Sequence, residues 1–494
     1  MGLVVAAFGC GNHGSYVCAS STQCVQNGVH GTCETQGFCS FPDTGCPSGS
    51  RFESGAGDDL GGECVPEGNP ADASTTCGAV GQACCVDGEV GSPPCLDNGF
   101  CSNGTCAQCV TDVGTGLRHN CYLKQDHTVW CSGENRSGQL GNGGTSTVAI
   151  ATPVQVRDMA NTVVADATGL ALGGVHSCAI RAGGEVWCWG ENNTCTDGGQ
   201  LGDGTTTNRD RAVPVIRTNN MRLTDIVELG ASYCNTCARD STGGVWCWGD
   251  NENNRLGDGT IVSRTKAAPV LVAAGGAAFT GAAELSVGDQ HACVRKTNGE
   301  TWCWGSNYAG QVGNTTKVNA PVPVKVMDTT ISISAGRYHT CAVKTDNSVW
   351  CWGQGWQGRL GNGKGDRDSG STLDEPTPKP ALTALGGTPF GGAKSVAAGA
   401  VSCSLSTTNA ASCWGAAQYG QTGTGGGTYV PAPVLDVDGK PLTSVERLVT
   451  KFTRVCAFLT SGRLVCWGRN SEGEMGDGTF VNHGLATPIR LSCP

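Results

Sequence analysis

Seven pairs of cysteines recur along most of the chain, and within every pair the two cysteines are ten positions apart. Each pair lies in a segment close to H-x-C-x9-C-W-G, followed by a turn close to G-Q-L-G-D-G. The second cysteine advances by 57, 59, 56, 48, 62 and 53 residues from one segment to the next. Such a recurrence predicts a repeat protein, in which each unit buries its apolar face against its neighbours. The seven pairs are Cys121 and Cys131, Cys178 and Cys188, Cys237 and Cys247, Cys293 and Cys303, Cys341 and Cys351, Cys403 and Cys413, and Cys456 and Cys466.

The spacing within each pair predicts a β-hairpin closed by its own disulfide. In the segment from His291 to Gly305, one strand ends at Lys296 and the next continues through Trp302, which leaves a three-residue loop with a left-handed last position. Glycine, asparagine and, less often, histidine adopt that conformation. All seven repeats comply, with His127, Gly184, Gly243, Gly299, Asn347, Asn409 and Gly462. This turn sets the two cysteines opposite each other, at a Cα separation suited to a disulfide.

The rest of the repeat predicts how neighbouring units pack. In six repeats a tryptophan follows the second cysteine, and its large apolar ring is expected to wedge one unit against the next. Repeat 1 has Ser132 at that place, so we expect poorer packing there. A proline such as Pro214 or Pro269 is expected to begin the outer strand, because an edge strand tolerates the missing N–H.

These motifs resemble the regulator-of-chromosome-condensation repeat family, and the W-G-x-N-x-x-G-Q-L-G-D-G string carries the resemblance over about residues 110–494. The resemblance implies an all-β fold, a seven-bladed β-propeller, here preceded by small disulfide-rich modules. It further implies that the two ends of the propeller chain complete one blade together. On that basis we predict a disulfide between Cys109 and Cys493 that locks the ring.

The chain has 31 cysteines, which indicates an oxidising compartment. Two C-x-x-C pairs, Cys106 with Cys109 and Cys234 with Cys237, lie in unrelated contexts and are weak signals for zinc. Cys195 and Cys234 are instead expected to bridge adjacent blades. Twelve further cysteines fall as two sets of six, in a first cysteine-rich module over 11–67 and a second, knotted-cystine-like module over 68–109. Their connectivity cannot be read from the sequence.

Residues 1–10 are interpreted as the remnant of a signal peptide with a lipobox. Ala7-Phe8-Gly9-Cys10 resembles a bacterial lipoprotein processing site, in which Cys10 becomes the lipidated first residue. Phe8 is large for its place, and the alternative is a mature N-terminus with a structural Cys10. We therefore expect an extracytoplasmic protein, lipid-anchored to the bacterial outer envelope or secreted, that meets the membrane only through this anchor.

Several classes of function lack support in the sequence. The net charge is −10 and no run of basic residues exceeds two, which argues against nucleic-acid binding. Neither G-x-S-x-G nor H-E-x-x-H occurs. Histidines precede the first hairpin cysteine in four repeats, where local hydrogen bonding at a strand end is favoured over a metal site. We expect no catalytic residue, no metal and no cofactor.

Three aromatic residues, Tyr308, Trp356 and Tyr419, occupy similar places in consecutive repeats and are candidate binding residues on one sector of one face. Packing over their own turns is the alternative. The segment 364–392 is expected to be a long contact loop or a mobile loop. The predicted function is a monomeric, non-enzymatic binding or scaffold protein for an unknown extracellular or envelope protein. Carbohydrate or cell-wall binding and inhibition of an extracellular enzyme are the alternatives; nucleotide exchange on a GTPase is disfavoured by export.

Overall fold

The computed structural model describes residues 110–193, 195–365, 373–489 and 491, and the backbone of seven short strands before residue 110. The chain divides into two compact units, Met1–Cys77 and Gly78–Pro494. In the first unit β1 pairs with β2, and β3, β4 and β5 form a sheet; in the second, β6 and β7 form a hairpin. These strands are β1 (Val25–Gln26), β2 (Val29–His30), β3 (Thr32–Cys33), β4 (Cys39–Pro42), β5 (Ser50–Phe52), β6 (Gly99–Ser102) and β7 (Thr105–Gln108). The predicted lipidation site Cys10 and the predicted pair of Cys109 and Cys493 lie outside the described residues.

Seven four-stranded antiparallel sheets follow, each built from four consecutive strands, and they form the predicted seven-bladed propeller. Blade 1 contains β8 (Val110–Thr115), β9 (His119–Lys124), β10 (Val129–Asn135) and β11 (Ser146–Gln155). Blade 2 contains β12 (Ala167–Leu172), β13 (His176–Arg181), β14 (Val186–Gly190) and β15 (Arg209–Pro214). Blade 3 contains β16 (Ile226–Ala231), β17 (Asn235–Asp240), β18 (Val245–Gly249) and β19 (Arg264–Pro269). Blade 4 contains β20 (Ala282–Val287), β21 (His291–Lys296), β22 (Thr301–Gly305) and β23 (Ala320–Met327).

The remaining three blades have the same plan. Blade 5 contains β24 (Thr330–Ala335), β25 (His339–Lys344), β26 (Val349–Gly353) and β27 (Glu375–Pro380). Blade 6 contains β28 (Ala393–Ala398), β29 (Val401–Ser406), β30 (Ala411–Gly415) and β31 (Thr428–Pro433). Blade 7 contains β32 (Val445–Lys451), β33 (Arg454–Leu459), β34 (Leu464–Gly468) and β35 (His483–Pro488). The helical segments of the described ranges are three 3-10 turns, Ala182–Gly184, Glu252–Asn254 and Trp356–Gly358. None of the described helices has the length and apolar composition needed to cross a bilayer.

The second and third strands of every blade form the predicted hairpin. The seven loop residues expected to be left-handed all have positive φ, between 62° at His127 and 84° at Gly243. In each hairpin the two cysteines are register partners, as Cys293 and Cys303 are in blade 4. The turn geometry inferred from the ten-residue spacing is therefore present in every blade.

All seven predicted hairpin disulfides are present, with Cα separations of 4.0–4.1 Å. Each joins the second strand of a blade to the third, so that every blade is closed covalently at its centre. From blade 1 to blade 7, the bonded residues are Cys121 with Cys131, Cys178 with Cys188, Cys237 with Cys247, Cys293 with Cys303, Cys341 with Cys351, Cys403 with Cys413, and Cys456 with Cys466.

The ring is closed differently from the expectation. The first strand of each blade lines the central channel, and β32 of blade 7 contacts β8 of blade 1. Blade 1 and blade 7 each contain four strands from one continuous segment, so the expectation that the chain ends share a blade is wrong. The chain enters the ring at an inner strand and leaves it at an outer strand. Within the described residues, blades 7 and 1 are joined by side-chain packing, by hydrogen bonds and by ion pairs.

Two local expectations are corrected by the outer strands. In blades 2, 3, 6 and 7 the repeated proline ends the outer strand instead of beginning it, as Pro214 ends β15 and Pro269 ends β19, and in blades 1 and 4 it lies within the outer strand. The outer strand starts several residues earlier, and a proline at its end still lies on an edge, where no N–H is required. The segment 364–392 is not one long loop, because it contains β27 and the connection to blade 6. Only 366–372 of this segment lies outside the described residues.

The core lies between blades. The six tryptophans that follow the second cysteine are fully buried. Trp189 of blade 2, for example, packs with Leu140 and Val156 of blade 1. Its Nε1 donates a hydrogen bond to the carbonyl oxygen of Gln139 in the G-Q-L-G turn of blade 1, at 2.9 Å. The G-Q-L-G turn therefore contacts the tryptophan of the next blade and accepts its hydrogen bond.

Candidate binding face

One end of the ring contains two kinds of connection from every blade, and we call it the loop face. The turns that join the first strand to the second and the loops that join the third strand to the fourth both emerge there, because strand direction alternates within a sheet. In blade 4 these are residues 288–290 and 306–319. Connections on a rigid scaffold are the usual place for binding residues.

In five blades a buried asparagine fixes the shape of the loop between the third and fourth strands, which we call the third loop. In blade 4, Asn307 Oδ1 accepts the Val312 N–H at 2.9 Å. Its Nδ2 donates to the Thr316 carbonyl at 2.9 Å and to the Val318 carbonyl at 3.0 Å. One amide thus satisfies several backbone groups and holds the loop in a single conformation. The five asparagines are Asn135, Asn192, Asn251, Asn307 and Asn470.

Blades 5 and 6 lack this asparagine. The corresponding positions are Gly355 in blade 5 and Ala417 in blade 6, and neither side chain can form the hydrogen bonds described above. The loops of these two blades therefore have a different internal structure from those of the other five. A cleft of about 590 Å³ lies between them on the loop face.

A second concavity of about 380 Å³ lies on the loop face of blades 2 to 5, and we call it the funnel. Asp289 is the buried acidic residue of the funnel. Arg337 Nε lies 3.3 Å from Asp289 Oδ2. Burial raises the pKa of Asp289. Arg255 lines the same wall and pairs with Asp250 at 3.3 Å. The charged groups of the funnel are thus largely paired with one another. The funnel is lined by residues that include Tyr233, Arg255, Asp289, Gln290, Arg337 and Tyr338.

Aromatic side chains surround the funnel. The rings of Tyr308 and Tyr338 lie 5.7 Å apart, and the Arg337 guanidinium lies 5.2 Å from the Tyr338 ring centroid. Tyr308 is 48% exposed and Tyr233 is 37% exposed. Burial raises the pKa of Tyr308, so its hydroxyl remains a neutral hydrogen-bond donor. The funnel therefore combines exposed tyrosine with positioned arginine.

The central channel is narrow, with a volume of about 170 Å³, and is lined by the first strands of all seven blades. Lys451, at the end of β32, donates a hydrogen bond from Nζ to the carbonyl oxygen of Val287 at the end of β20. These strands belong to blades 7 and 4, so the lysine side chain crosses the channel. Burial lowers the pKa of Lys451 to about 8.

The structure separates the three aromatic residues proposed from the sequence. Tyr308 lies beside Tyr338 at the funnel, whereas Trp356 lines the cleft between blades 5 and 6. Tyr419 is half-buried, and the Arg469 guanidinium of blade 7 lies 5.7 Å from its ring centroid. Within residues 110–365 and 373–489, no ring–ring contact joins these three residues. All three belong to the loop face.

The sequence interpretation missed Tyr233, Arg337 and Tyr338 of the funnel and Tyr429 of the cleft. A signal for the first three was present, because they lie in the short segment just before each repeat's first hairpin cysteine. That segment joins the first two strands of a blade and reaches the loop face. The first strand was not identified from the sequence, so the position of these residues was not apparent.

The four histidines that precede a hairpin cysteine bridge blades, which corrects the expectation of local hydrogen bonds. His119 Nε2 lies 2.8 Å from the Ser177 hydroxyl of blade 2. Ser177 Oγ donates its own hydrogen to the Gln139 carbonyl at 3.0 Å, so the histidine must be the donor to Ser177. The same arrangement joins His176 to Thr236, His291 to Thr340 and His339 to Ser402, at 2.7–2.8 Å. We call each of these a histidine link.

Burial keeps the linking histidines neutral. It lowers the pKa of His119, His176 and His291 to about 3, and that of His339 well below its usual range. Each Nε2 is already used in a link between blades. The neutral histidines therefore connect adjacent blades through Nε2.

One further group of potential metal ligands is present in the described residues. Cys195, Cys234 and Asp250 place their ligand atoms within 4.8 Å of one another. Cys195 and Cys234 are joined as a disulfide, so neither sulfur is the thiolate that a metal requires. This disulfide connects the third loop of blade 2 to the first turn of blade 3, as expected from the sequence.

Comparison with protein-family models identifies the repeat. Two models described as "Regulator of chromosome condensation (RCC1) repeat" match the chain: one over 126–180, 242–295 and 298–343, the other over 110–139, 167–195, 226–255, 283–311 and 331–358. The chain is 26% identical over 355 residues to the human E3 ubiquitin-protein ligase HERC2, covering 72% of this chain and 6% of HERC2. It is 28% identical over 224 residues to the human probable E3 ubiquitin-protein ligase HERC6, covering 44% of this chain and 20% of HERC6. The chain thus spans only a small part of the curated relatives it matches.

Solved propellers have the same fold. Yeast RCC1 (Prp20), in its complex with Kap60, superimposes with a TM-score of 0.57 at 20% identity, covering 78% of this chain and 85% of that chain. Human WBSCR16 superimposes with a TM-score of 0.56 at 18% identity, covering 73% and 93%. At these identities the similarity establishes the fold alone.

Proposed function

We propose that this chain, which contains regulator of chromosome condensation repeats on a seven-bladed propeller, is an exported binding protein that recognises a partner protein through the funnel. The observation that carries this proposal is a concavity lined by Tyr233 and the Arg337–Tyr338 pair, with the exposed Tyr308 ring next to Tyr338 at its edge. Tyrosine and arginine are enriched among residues that dominate protein interfaces. The partner is expected to be an extracellular or envelope protein.

Rigidity supports the choice of the funnel. Its wall is formed by blades 2 to 5, each closed by a hairpin disulfide, and the Cys195–Cys234 bond ties two of these blades together. A partner that docks there would not have to order the surface first, which reduces the entropic cost of binding. The acids of the funnel are paired with Arg337 and Arg255, so binding is favoured over acid–base catalysis.

Export is proposed from the disulfides and from the first residues of the chain. Eight disulfides occur in the described residues, and such a number persists in oxidising compartments. We propose Cys10 as the point of lipid attachment because Ala7-Phe8-Gly9-Cys10 resembles a lipoprotein processing site. Non-reducing mass spectrometry of the protein recovered from its native envelope tests this. A diacylglyceryl group on Cys10 with oxidised hairpins is expected; free hairpin thiols would overturn export.

The partner is sought with a photo-crosslinking residue at position 308, at the edge of the funnel. The matched control has the same residue at the exposed Met221 on the opposite face. We expect one envelope protein to be crosslinked from position 308 and not from position 221. With that protein purified, Tyr308→Ala and Tyr233→Ala should each weaken binding at least tenfold, whereas Met221→Ala should not. Equal affinity of all the variants would contradict binding at the funnel.

A further inference from the structure

The cleft between blades 5 and 6 is chemically unlike the funnel. Blade 5 contributes Trp356 and Gln357, and blade 6 contributes Gln418 and Tyr429, above a floor of small residues that includes Gly426. None of the described residues that line the cleft is Asp, Glu, Lys or Arg. The described lining of the cleft therefore offers aromatic rings, amides and backbone groups, and no charged side chain.

The cleft lies between the two blades that lack the buried asparagine of the third loop. Five blades hold the third loop with a buried asparagine, and the two that do not are the two that flank the cleft. Gly355 and Ala417 stand in place of that asparagine. The blade 6 loop instead has three consecutive glycines, and a Cβ at Gly426 would meet no atom within 4 Å. Where a stabilising residue of the repeat is replaced and a cavity lies beside the replacement, we expect a functional site.

Both aromatic rings are exposed and held in position. Trp356 is 41% exposed and Tyr429 is 43% exposed. The buried Arg359 donates from Nε to the Trp356 carbonyl at 3.0 Å, and its guanidinium lies 5.6 Å from the indole centroid. Tyr429 lies against Gly358 and Gly365 of blade 5, where an added Cβ would come within 2.4 and 2.5 Å of the tyrosine Cδ1. The rings are therefore fixed without filling the cleft.

Tyr429 is also unusual for its place. The first glycine of a G-Q-L-G-type turn lies against a residue of the next blade. At five junctions this residue is small or non-aromatic, and at the junction of blades 5 and 6 it is Tyr429. The five other residues are Ala151, Asp210, Thr265, Pro376 and Gly484. The wedge tryptophan of blade 6 is Trp414, as in the other blades, so Tyr429 is not a substitute for it. The Tyr429 ring packs against blade 5 on one side and lines the cleft with its exposed part.

We propose that this cleft binds a neutral oligosaccharide. A pyranose ring presents C–H groups that pack on aromatic rings, and hydroxyls that pair with amides such as those of Gln357 and Gln418. The volume of about 590 Å³ lies in the range of roughly 300–1,000 Å³ typical of small-ligand sites. The absence of charge in the described lining selects against phosphorylated, sulfated and uronic-acid polymers. This proposal goes beyond the binding of a protein at the funnel and does not depend on it.

Affinity electrophoresis of the full oxidised chain tests the proposal, because it detects weak binding to polymers. Native gels would contain either a neutral polysaccharide (glucomannan, xyloglucan, galactan or dextran) or an anionic one (alginate or heparin). We expect at least one neutral polymer to retard the protein, and the anionic polymers to leave its mobility unchanged. Absence of retardation in all the neutral gels, or retardation in the anionic gels alone, would overturn the proposal.

Three variants locate the site. Trp356→Ala should weaken binding at least tenfold, and Gln418→Ala, a cleft-lining position, should weaken it without disturbing the fold. Tyr308→Ala is the matched control, since it removes an exposed aromatic ring from a blade that retains its asparagine. It should weaken binding of the protein partner at least tenfold and leave sugar binding unchanged. Equal retardation of the Trp356→Ala, Gln418→Ala and unaltered proteins would place any sugar site elsewhere and overturn the assignment.

Discussion

Arg454 of blade 7 and Glu474 form a fully buried ion pair, with 3.0 Å between Arg454 Nη1 and Glu474 Oε1, at the junction where the ring closes on blade 1. Arg454 stands at the histidine position of its repeat, and its Nε donates to Asn120 Oδ1 of blade 1 at 3.0 Å. It also donates to the backbone carbonyls of Gly116, Leu117 and His119. One arginine therefore connects blade 7 to blade 1 at the repeat position where four other blades have a linking histidine.

We predict that Glu474→Gln destabilises the ring. It would leave the buried Arg454 guanidinium without its counter-charge, and loss of one member of a buried pair costs about 3–5 kcal/mol. The midpoint of guanidinium unfolding under non-reducing conditions measures the change. Asp166→Asn, which removes the partly exposed pair of Asp166 with Arg181, is the control and should cost less than about 1 kcal/mol. Similar midpoints for the two variants would show that the junction of blades 7 and 1 does not limit the stability of the ring.

We also predict that Tyr122 replaces the tryptophan missing from blade 1. Its hydroxyl donates to the Glu474 carbonyl at 3.1 Å, and the Ser132 hydroxyl donates to the same oxygen at 2.9 Å. Tyr122→Ala should therefore lower the free energy of unfolding by about 3–5 kcal/mol. Adding Ser132→Trp should recover much of the loss, because an alanine with that tryptophan occurs in other blades. No recovery would mean that the junction does not follow the common packing plan. The expectation of poorer packing at Ser132 stays a prediction that these variants test, with Tyr122 of the neighbouring strand fully buried beside Ser132.

A third prediction concerns pH. The four linking histidines have folded-state pKa values lowered by burial, to about 3 where a value is given, against about 6.5 in the unfolded chain. Between these values the unfolded chain binds more protons than the folded chain, so stability decreases as the pH falls from about 6.5 towards 3. Melting temperatures measured from pH 7.5 to 4 should fall accordingly.

The control for the pH prediction is His291→Asn, which places in blade 4 the residue that blade 3 has naturally. This variant should be less stable than the parent at pH 7.5, because the link to Thr340 is lost. It should also lose less further stability on acidification, because one titrating group is gone. An unchanged dependence on pH would exclude this histidine as a contributor.

A fourth prediction separates the disulfides by accessibility. Both sulfurs of every hairpin disulfide belong to cysteines with at most 1% exposure, whereas Cys195 is half-buried and Cys234 is 7% exposed. Under native conditions a reductant should therefore reach Cys195–Cys234 before any hairpin disulfide. Differential alkylation followed by peptide mass spectrometry gives the order. Reduction of Cys293–Cys303 as fast as Cys195–Cys234 would contradict the described burial.

Much of the fold could be predicted because it depends on local rules. The ten-residue spacing and the left-handed loop position define each hairpin, and these depend only on neighbours in sequence. The histidine links required one more comparison, between one repeat and the next. His119, His176, His291 and His339 are each followed, one repeat later, by a hydroxyl residue next to the histidine position, whereas Asn235 and Val401 are followed by Ala292 and Val455. This pairing is visible in the sequence once blade n is known to contact blade n+1.

The sequence by itself determined the number of blades, the hairpin disulfides and the buried tryptophans, since each follows from a period or a turn with one allowed geometry. Only the tertiary structure decided how the ring closes and where the funnel and the cleft lie on the loop face. Closure depends on Arg454, Glu474 and Tyr122, which lie at opposite ends of the propeller segment and meet only when all seven blades have formed. The funnel and the cleft likewise require residues of different blades to share one surface. Contacts of that kind arise from the angle between blades, which no short stretch of sequence specifies.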